Sequence, residues 1–314
     1  MAYLLSRIND ATRTDPRGFS QECDANYNKT IEAAARKIAD NLSKSRIVLL
    51  SGPSGSGKTT TAKKIEAKLE EMGIHSHAIA MDNYFLTVDP ETCPRNRDGE
   101  IDYESPFCLD MDLLNRHFNL LDKGEKILVP KFEFARQMRS AIKSHPLQLG
   151  SDEIAIFEGI HALNDIITGK HRNAMKLYIS ARSDVVDDEG NVIYKRTWMR
   201  LARRAVRDAK FRSWEPDVTV KLWASVRRGE KLYISPYKNN ADIKFDSSHP
   251  CEVNVLKAFA QPAFDHLHLS PEMERYNEVH HLAAAFPLFE TLDEQYVAPD
   301  SLLREFIGGG IYDG

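Results

Sequence analysis

Residues 47–60 read IVLLSGPSGSGKTT, an apolar run that passes directly into a glycine-rich turn. The run predicts a buried strand over residues 46–51, and residues 59–72 predict a helix that ends at Gly73. Residues 52–59 fit the pattern G-x-x-x-x-G-K-[ST] in full. Such glycines let backbone N–H groups surround an anion beside a helix N-terminus, whose dipole favours negative charge. The stretch therefore predicts a phosphate-binding loop, against the alternative of a chance glycine turn.

This loop predicts ATP and Mg²⁺ as cofactors. Lys58 is expected to reach the β- and γ-phosphates, and the hydroxyl of Thr59 is expected to ligate Mg²⁺. The predicted nucleotide contacts are Gly52, Ser54, Gly55, Ser56, Gly57, Lys58, Thr59 and Thr60.

Further apolar runs indicate an α/β protein. Strands are predicted over residues 76–81, 153–159, 175–180 and 241–247, with helical patterns between them. This alternation favours βαβ units, and thus a P-loop NTPase fold with a parallel sheet flanked by helices.

The helical pattern of the C-terminal part divides the chain into three predicted regions. Residues 1–45 are a polar segment with a helix from Asn28, and residues 46–250 are the P-loop domain. Residues 251–314 are a C-terminal helical extension.

The composition is that of a globular cytoplasmic protein. The net charge of the 314 residues is -4, and no apolar run approaches the ~20 residues of a membrane span. The four cysteines include no CxxC pair, so we expect reduced thiols. Membrane partners are therefore not expected.

Acidic residues stand at the ends of two predicted strands. Asp82 follows the strand at 76–81, and Glu158 lies at the end of EIAIFE. The carboxyl ends of parallel strands form the ligand crevice, so both side chains should face the phosphates. Asp82 suits a proton acceptor, and Glu158 with Thr59 suits a Mg²⁺ shell. The alternative for each acid is a helix N-cap.

A basic helix is predicted over residues 197–211. Four of its arginines, Arg200, Arg203, Arg204 and Arg207, follow i, i+3, i+4, i+7 spacing and share one face. We expect a lid over ATP phosphates, against the alternatives of a solvated basic face and a nucleic-acid patch. The acidic net charge and the lack of interleaved aromatic residues make nucleic acid unlikely as a partner.

Other P-loop classes lack their sequence signals here. A GTPase should carry an N/T-K-x-D motif, and an ABC-type ATPase should carry an LSGGQ-like signature, but neither occurs.

The chain resembles the uridine kinase/phosphoribulokinase family of P-loop kinases over residues 46–247. The resemblance lies in the ordered set GPSGSGKTT, MDNYF, GEIDYESP, LVPKFEFARQMR, FEGIHALN, RLARRAVRD and PYKNNADIKF. SVRRGEKLYISPY and SLLREFIGG are similar to a uridine-kinase-like subgroup often fused to a TGS and threonyl-tRNA-synthetase-like region, which this sequence does not contain. The family implies ATP as donor and a hydroxyl of a small molecule as acceptor.

The resemblance also implies residue roles. Asp82 looks like the catalytic base and Glu158 like a Mg²⁺-associated acid, while Asp102 falls where the family holds vicinal ribose hydroxyls. The implied catalytic set is Asp82, Lys58, Arg204 and Arg207, with Arg203 and Arg212 binding nucleotide from the lid. The implied acceptor contacts are Asp82, Tyr84, Asp102, Phe132, Gln137 and Arg139.

Three positions depart from the family pattern. Phe132 and Gln137 stand where pyrimidine-specific members have a Tyr and a His that read the base. Removing hydrogen-bonding readers should change the substrate, since such sites discriminate by up to ~10⁴–10⁵. Trp198 replaces the Asp that commonly precedes the lid arginines.

The sequence thus favours an ATP-dependent kinase for a nucleoside or related polyol. A nucleotide-binding regulator without acceptor phosphorylation is the alternative, and an RNA-binding NTPase that uses the basic helix is a third. The acceptor, the choice of ATP or GTP, a homo-oligomeric state and the role of SLLREFIGG stay open.

Overall fold

A five-stranded parallel sheet lies at the centre of the fold. The structure is a computed structural model that describes residues 2–312. Its strands are β1 Ala2–Leu4, β2 Ile47–Ser51, β3 His75–Ala80, β4 Ile127–Glu133, β5 Met138–Leu147, β6 Glu153–Glu158, β7 Met175–Ser180, β8 Asp184–Val186, β9 Val192–Tyr194 and β10 Ile243–Asp246. The central sheet has the order β10-β7-β2-β6-β3 with every neighbouring pair parallel, which confirms the predicted α/β fold.

Helices cover both faces of this sheet and extend beyond it. They are α1 Leu5–Thr14, α2 Pro16–Asn41, α3 Lys58–Glu71, α4 Met111–Asp122, α5 Asp165–Thr168, α6 Arg196–Arg212, α7 Pro216–Gly229, α8 Glu252–Asp265, α9 Tyr276–Ala285 and α10 Arg304–Ile307. None of the helices within residues 2–312 is long and apolar enough to cross a membrane.

The alternation of side chains along β2 builds two separate cores. Ile47 and Leu49 pack on the side of α4, and Val48 and Leu50 pack on the side of α2 and α3. Successive strand residues point to opposite faces, so a strand covered on both sides must be apolar throughout. This explains why the run IVLL shows no alternation with polar residues.

The register of the sheet brings three strand ends together. Leu50 of β2 and Ala80 of β3 both lie opposite Glu158 of β6. The phosphate-binding loop, Glu158 and Asp82 therefore emerge at one edge of the sheet, as the sequence predicts.

The N-terminal region contains more helix than the sequence predicts. Residues 2–27, in which no clear periodicity was found, hold β1, α1 and the first part of α2. Asp15 caps α2 by accepting from the backbone N–H of Gly18 at 2.9 Å. Only Ile8 and Thr12 of α1 are buried, so its apolar pattern is too sparse to read. Tertiary contacts, including the parallel pairing of β1 with β8, hold this region.

Several further elements were not predicted, among them the β4–β5 hairpin and helix α7. The β4–β5 hairpin carries an outer strand, β5, that is largely exposed, with Ile142 88% exposed. A strand without a buried face shows no alternation of apolar and polar residues. Helix α7 begins at Pro216 and buries Trp223 completely.

The third core joins the N-terminus, the basic helix and the C-terminal helices. It contains Ile8 of α1, Trp198 of α6, Leu256 of α8, Phe286 and Phe306. The predicted C-terminal helices exist as α8 and α9, but the last is only the single turn α10. The region limits at residues 45/46 and 250/251 stay predictions.

Candidate active site

The phosphate-binding loop joins β2 to α3 through left-handed glycines. Gly55 has φ of +73° and Gly57 has φ of +85°, a conformation that other residues adopt only with strain. A Cβ atom at Gly55 would also lie 2.8 Å from the carbonyl oxygen of Arg200. The sequence pattern G-x-x-x-x-G-K-[ST] thus has the backbone that it requires.

Lys58 and Thr59 begin α3 at the mouth of this loop. The Nζ of Lys58 donates to the carbonyl oxygen of Pro53 at 3.3 Å. The Oγ1 of Thr59 donates to Oε1 of Glu158 at 3.4 Å. The hydroxyl and carboxylate predicted to share a cation therefore lie within hydrogen-bond distance.

Two carboxylates flank the loop in an unusual electrostatic setting. Burial raises the pKa of Glu158 to about 7, and Lys58 opposes this while Asp82 adds to it. Solvent reaches Asp82, yet the protein around it displaces much of its hydration, which raises the pKa of its carboxyl. Lys58, Arg212 and Arg207 each lower that pKa. Such shifts concentrate at functional sites.

These oxygen atoms fit a magnesium ion. Mg²⁺ prefers a few protein oxygen ligands with water and phosphate completing its shell. Thr59 and Glu158 offer a hydroxyl and a carboxylate in contact, and the neighbouring Asp82 disfavours the charge on Glu158 in the absence of a cation. Within residues 2–312 there is no group of three or more His, Cys, Asp or Glu side chains that would form a cage of its own.

The basic helix α6 holds the loop from behind. Arg200 donates to the carbonyl oxygen of Ser54 at 3.2 Å, and Arg203 donates to that of Gly55 at 3.1 Å. Arg204 donates to Oγ of Ser54 at 2.8 Å. The alternative of a solvated basic face is wrong, since all three arginines are buried.

Buried acids neutralise these arginines. Arg200 pairs with Glu230 at 2.6 Å, and Arg203 pairs with Glu252 through its Nη2 at 2.6 Å. The prediction that Arg203 binds nucleotide is corrected, because its side chain is fully buried and engaged with Glu252 and the loop backbone. It supports the loop rather than the ligand.

Three arginines, Arg204 among them, surround Asp208, which is fully buried. Arg204, Arg207 and Arg212 lie 3.3, 2.8 and 3.3 Å from its carboxylate. Arg207 and Arg212 also lower the pKa of Asp82, so their charges lie on the side of the loop where that acid stands. The lid over ATP phosphates stays a prediction.

Two predicted acceptor contacts have other roles. The side chain of Tyr84 lies in the core, where its hydroxyl meets Nδ1 of His117 at 2.9 Å. Arg139 donates to Asp110 at 3.0 Å and to the carbonyl oxygen of Tyr84 at 3.0 Å. The predictions for Tyr84 and Arg139 are therefore corrected: both fix the turn at Met81–Tyr84 that carries Asp82.

The remaining acceptor candidates lie in two groups. Asp102 is buried and accepts from the hydroxyl of Tyr233 at 3.0 Å, with Arg228 at 3.7 Å. Phe132 is buried against Phe85, with ring centroids 5.6 Å apart. Gln137 is exposed at the tip of the β4–β5 hairpin.

Two residues near the acids were missed by the sequence reasoning. Burial raises the pKa of Glu104 to about 7, with Arg204 and Lys58 opposing and Asp102 and Asp82 adding. Glu104 lies in the quoted stretch GEIDYESP, where spacing cannot rank it against Asp102. His161 lies three residues beyond Glu158 at the same strand end, which is the signal that could have found it.

His161 is a buried, neutral side chain beside these acids. It is 1% exposed, and its ring lies within reach of backbone groups of Glu104 and Tyr233. Burial lowers its pKa to about 4. A neutral imidazole can both donate and accept a hydrogen bond.

Comparisons with known proteins find that this chain is similar to several kinases. A uridine kinase of Staphylococcus aureus (strain JH9) is 30% identical over 198 residues, which is 63% of this chain and 85% of that protein. A protein described as a fructose transport system kinase from Silicibacter sp. TM1040 has a TM-score of 0.50 at 20% identity, over 69% of this chain and 98% of the other. Phosphoribulokinase from Rhodobacter spheroides has a TM-score of 0.43 at 14% identity, over 66% and 74%.

The structural matches concern the fold alone, because their identities are below 25%. The model of the Phosphoribulokinase / Uridine kinase family matches residues 47–254. This range includes the phosphate-binding loop, both strand-end acids and the basic helix. The chain therefore belongs to the phosphoribulokinase/uridine kinase family, whose members are kinases that use ATP, generally with Mg²⁺.

Proposed function

We propose that this protein transfers the γ-phosphate of ATP to a hydroxyl of a nucleoside or a related polyol. The observation that carries the proposal is the convergence of Lys58, Thr59, Glu158 and Asp82 at one edge of the sheet. A binding module needs no acid on the acceptor side, whereas a kinase needs a proton acceptor there. The catalytic set of the proposal is Asp82, Lys58, Arg204 and Arg207.

Asp82 is proposed to accept the proton of the attacking hydroxyl. Reduced hydration raises the pKa of its carboxyl and so makes it a stronger base than an ordinary aspartate. Its backbone is fixed because Arg139 bonds the carbonyl oxygens of Tyr84 and Phe85. The turn that carries Asp82 begins directly after β3, so Asp82 lies at the sheet edge beside Glu158.

Positive charge near the loop is supplied by Lys58 and by the arginines of α6. Arg207 and Arg212 act on the side of Asp82, and Arg204 is anchored on Ser54. Fixed cations stabilise charge as it develops, without reorganisation during the reaction. When bound, Mg²⁺ would neutralise phosphate charge, and Thr59 and Glu158 would hold it.

The proposed acceptor class is supported by two carboxyl groups and by the residues at the two base-reading positions. Asp102 and Glu104 are neighbouring carboxyl groups that can accept from the hydroxyls of a diol. Phe132 has no hydroxyl to read a base, and its ring is buried against Phe85. The likeness to a uridine kinase supports a nucleoside, and Phe132 and Gln137 argue for a base other than uracil or for another polyol.

The experiment is turnover with purified protein, Mg²⁺ and either ATP or GTP, against a panel of nucleosides, sugars and inositols. ADP or GDP release that depends on one acceptor class would identify the substrate. Asp82→Asn should lower this turnover about 10²–10⁴-fold while ATP binding is kept. Asp40→Asn is the matched control, since Asp40 is exposed near the end of α2.

A contrary outcome is equally defined. ATP binding without turnover across the panel would favour the nucleotide-binding regulator. Equal turnover in Asp82→Asn and in the unchanged protein would remove the proposed base.

A further inference from the structure

The end of the chain packs against the phosphate-binding loop. We call residues 300–308 the tail. Lys64 of α3 pairs with Asp300 at 2.7 Å, and Leu302 is fully buried. A Cβ atom at Gly57 would lie 2.5 Å from Cδ1 of Leu302, so tail and loop are in close contact.

Glu305 of the tail contacts the first turn of α3. The backbone N–H of Thr60 donates to Oε2 of Glu305 at 2.9 Å. Thr60 is the third residue of α3, and the first N–H groups of a helix have no partner within the helix. A carboxylate at this position is stabilised by the helix dipole.

The same N–H group belongs to the predicted phosphate cradle. In loops with this pattern the backbone N–H groups around the helix start hold the α- and β-phosphates. Thr60 directly follows the Lys58–Thr59 pair that marks the pattern. A carboxylate and a phosphate oxygen carry charge of the same sign, so they cannot accept from Thr60 together.

The tail backbone is anchored independently of this contact. Leu303, Phe306 and Ile307 are fully buried, and the guanidinium of Arg203 lies 4.9 Å from the ring centroid of Phe306. Lys210 also donates to the carbonyl oxygen of Ile307. Glu305 itself is only partly buried. Its carboxylate can therefore rotate away from Thr60 while the tail stays in place.

We propose that Glu305 determines nucleotide affinity by occupying, in the nucleotide-free protein, the position that the α-phosphate takes on the N–H of Thr60. This proposal rests on the proposed function, because it assumes that the loop binds ATP. The carboxylate stabilises the empty loop and must be displaced on binding. Since ATP and ADP share the α-phosphate, both bind more weakly than they would to the loop alone, which favours product release.

The test measures nucleotide affinity and stability in the full chain. Glu305→Gln keeps the size of the side chain and removes its charge. We expect the dissociation constants of ATP and ADP, measured by calorimetry, to fall about fivefold to tenfold. The melting temperature of the nucleotide-free protein should fall at the same time, because the empty loop loses its internal anion.

Two matched variants sharpen this test. Glu290→Gln makes the same charge change at an exposed residue that pairs with Arg13 at 3.4 Å, and it should change neither quantity. Glu305→Asp keeps the charge but shortens the reach to Thr60, so its affinity should lie between those of the unchanged protein and Glu305→Gln. If Glu305→Gln does not fold, the affinity of Glu305→Asp for ATP tests the proposal in its place.

A purely structural role of Glu305 would show a different result. Unchanged or weaker binding of ATP in Glu305→Gln would overturn the proposal, even if the melting temperature falls. Suppose that the unchanged protein binds and turns over ATP, and that both Glu305 variants bind ATP with the same affinity as the unchanged protein. Then only this proposal fails, and the proposed function stands. If neither the unchanged protein nor Glu305→Gln binds ATP better than Lys58→Ala does, the proposed function fails with it.

Discussion

The carboxyl groups near the phosphate-binding loop differ in what surrounds each of them. Asp102 has a hydrogen bond from Tyr233, whereas the pKa of Glu104 is raised to about 7 chiefly by burial. The pKa of Asp82 is raised by the same cause, and the charge of Lys58 partly opposes this rise. The chemistry of each acid is thus set by its contacts, and residue type alone does not rank them.

Glu104 should make the folded protein less stable as pH rises. Its folded pKa of about 7 lies above the ordinary 4.5, so the folded state binds more protons between these values. The free energy of unfolding then falls with rising pH across this window. In Glu104→Gln, the decrease in the free energy of unfolding between pH 4.5 and pH 7.5 should be smaller by roughly 2 kcal/mol, as measured by urea unfolding. An identical pH dependence in both proteins would contradict the assigned burial.

Gln137 combines backbone strain with a position at the hairpin tip. Its φ of 50° is left-handed, a conformation that glycine adopts without cost. Gln137→Gly should raise the free energy of unfolding by about 0.5–1 kcal/mol. Gln21→Gly, at an exposed site in α2, should lower it by about 1 kcal/mol. A raised KM for the acceptor in Gln137→Gly would assign the side chain to substrate reading.

At the scale of elements, α6 has two functions on one helix. Its first arginines, Arg200 and Arg203, are buried under the loop and bond its carbonyl groups. Arg207 and Arg212, which lie farther along the helix, act near Asp82. The i, i+3, i+4, i+7 spacing predicts a shared face, but it does not predict how deeply each arginine is buried, which depends on the acids that pair with it.

The pair of Arg203 and Glu252 should be costly to break. Both side chains are fully buried, so Glu252→Gln leaves an uncompensated guanidinium behind the loop. We expect a loss of roughly 3–5 kcal/mol in the free energy of unfolding, together with weaker ATP binding. Glu32→Gln, which breaks the exposed pair with Arg36, should cost less than about 0.5 kcal/mol. Equal effects of the two changes would refute the structural role of Arg203.

At the scale of the whole molecule, the tail joins regions that are distant in sequence. Leu302 belongs to the core beneath α2 and α3, whereas Leu303, Phe306 and Ile307 belong to the core around α6 and α8. The N-terminal Ile8 lies in the latter core as well. The tail therefore contacts the phosphate-binding loop through Leu302 and shares a core with the N-terminal Ile8.

Phe306→Ala tests this support. The ring is fully buried and lies against Arg203, so its loss leaves a cavity behind the loop. The free energy of unfolding should fall by about 3–5 kcal/mol in denaturant titration. Leu288→Ala, at a side chain that is 50% exposed, should change it by no more than about 0.5 kcal/mol. A small effect of Phe306→Ala would show that the tail is loosely attached.

Residue patterns alone predict the parallel sheet, the phosphate-binding loop and the two strand-end acids. These features follow from short-range rules: a doubly covered strand is apolar throughout, and a loop around phosphate needs glycine at fixed spacing. The exposed strand β5 and the sparsely buried helix α1 were not predicted, because neither has a regular spacing of apolar residues.

Which charged groups face the site, and which pair with other groups inside the protein, depends on how the chain folds. Arg203, Arg139 and Tyr84 matched the expected pattern, yet each is engaged by a partner that is distant in sequence: Glu252, Asp110 and His117. Glu104, His161 and Glu305 gained their importance from burial or from contact with the loop. Hydration and the distance between charges control these roles, and both are set by long-range packing that residue spacing does not encode.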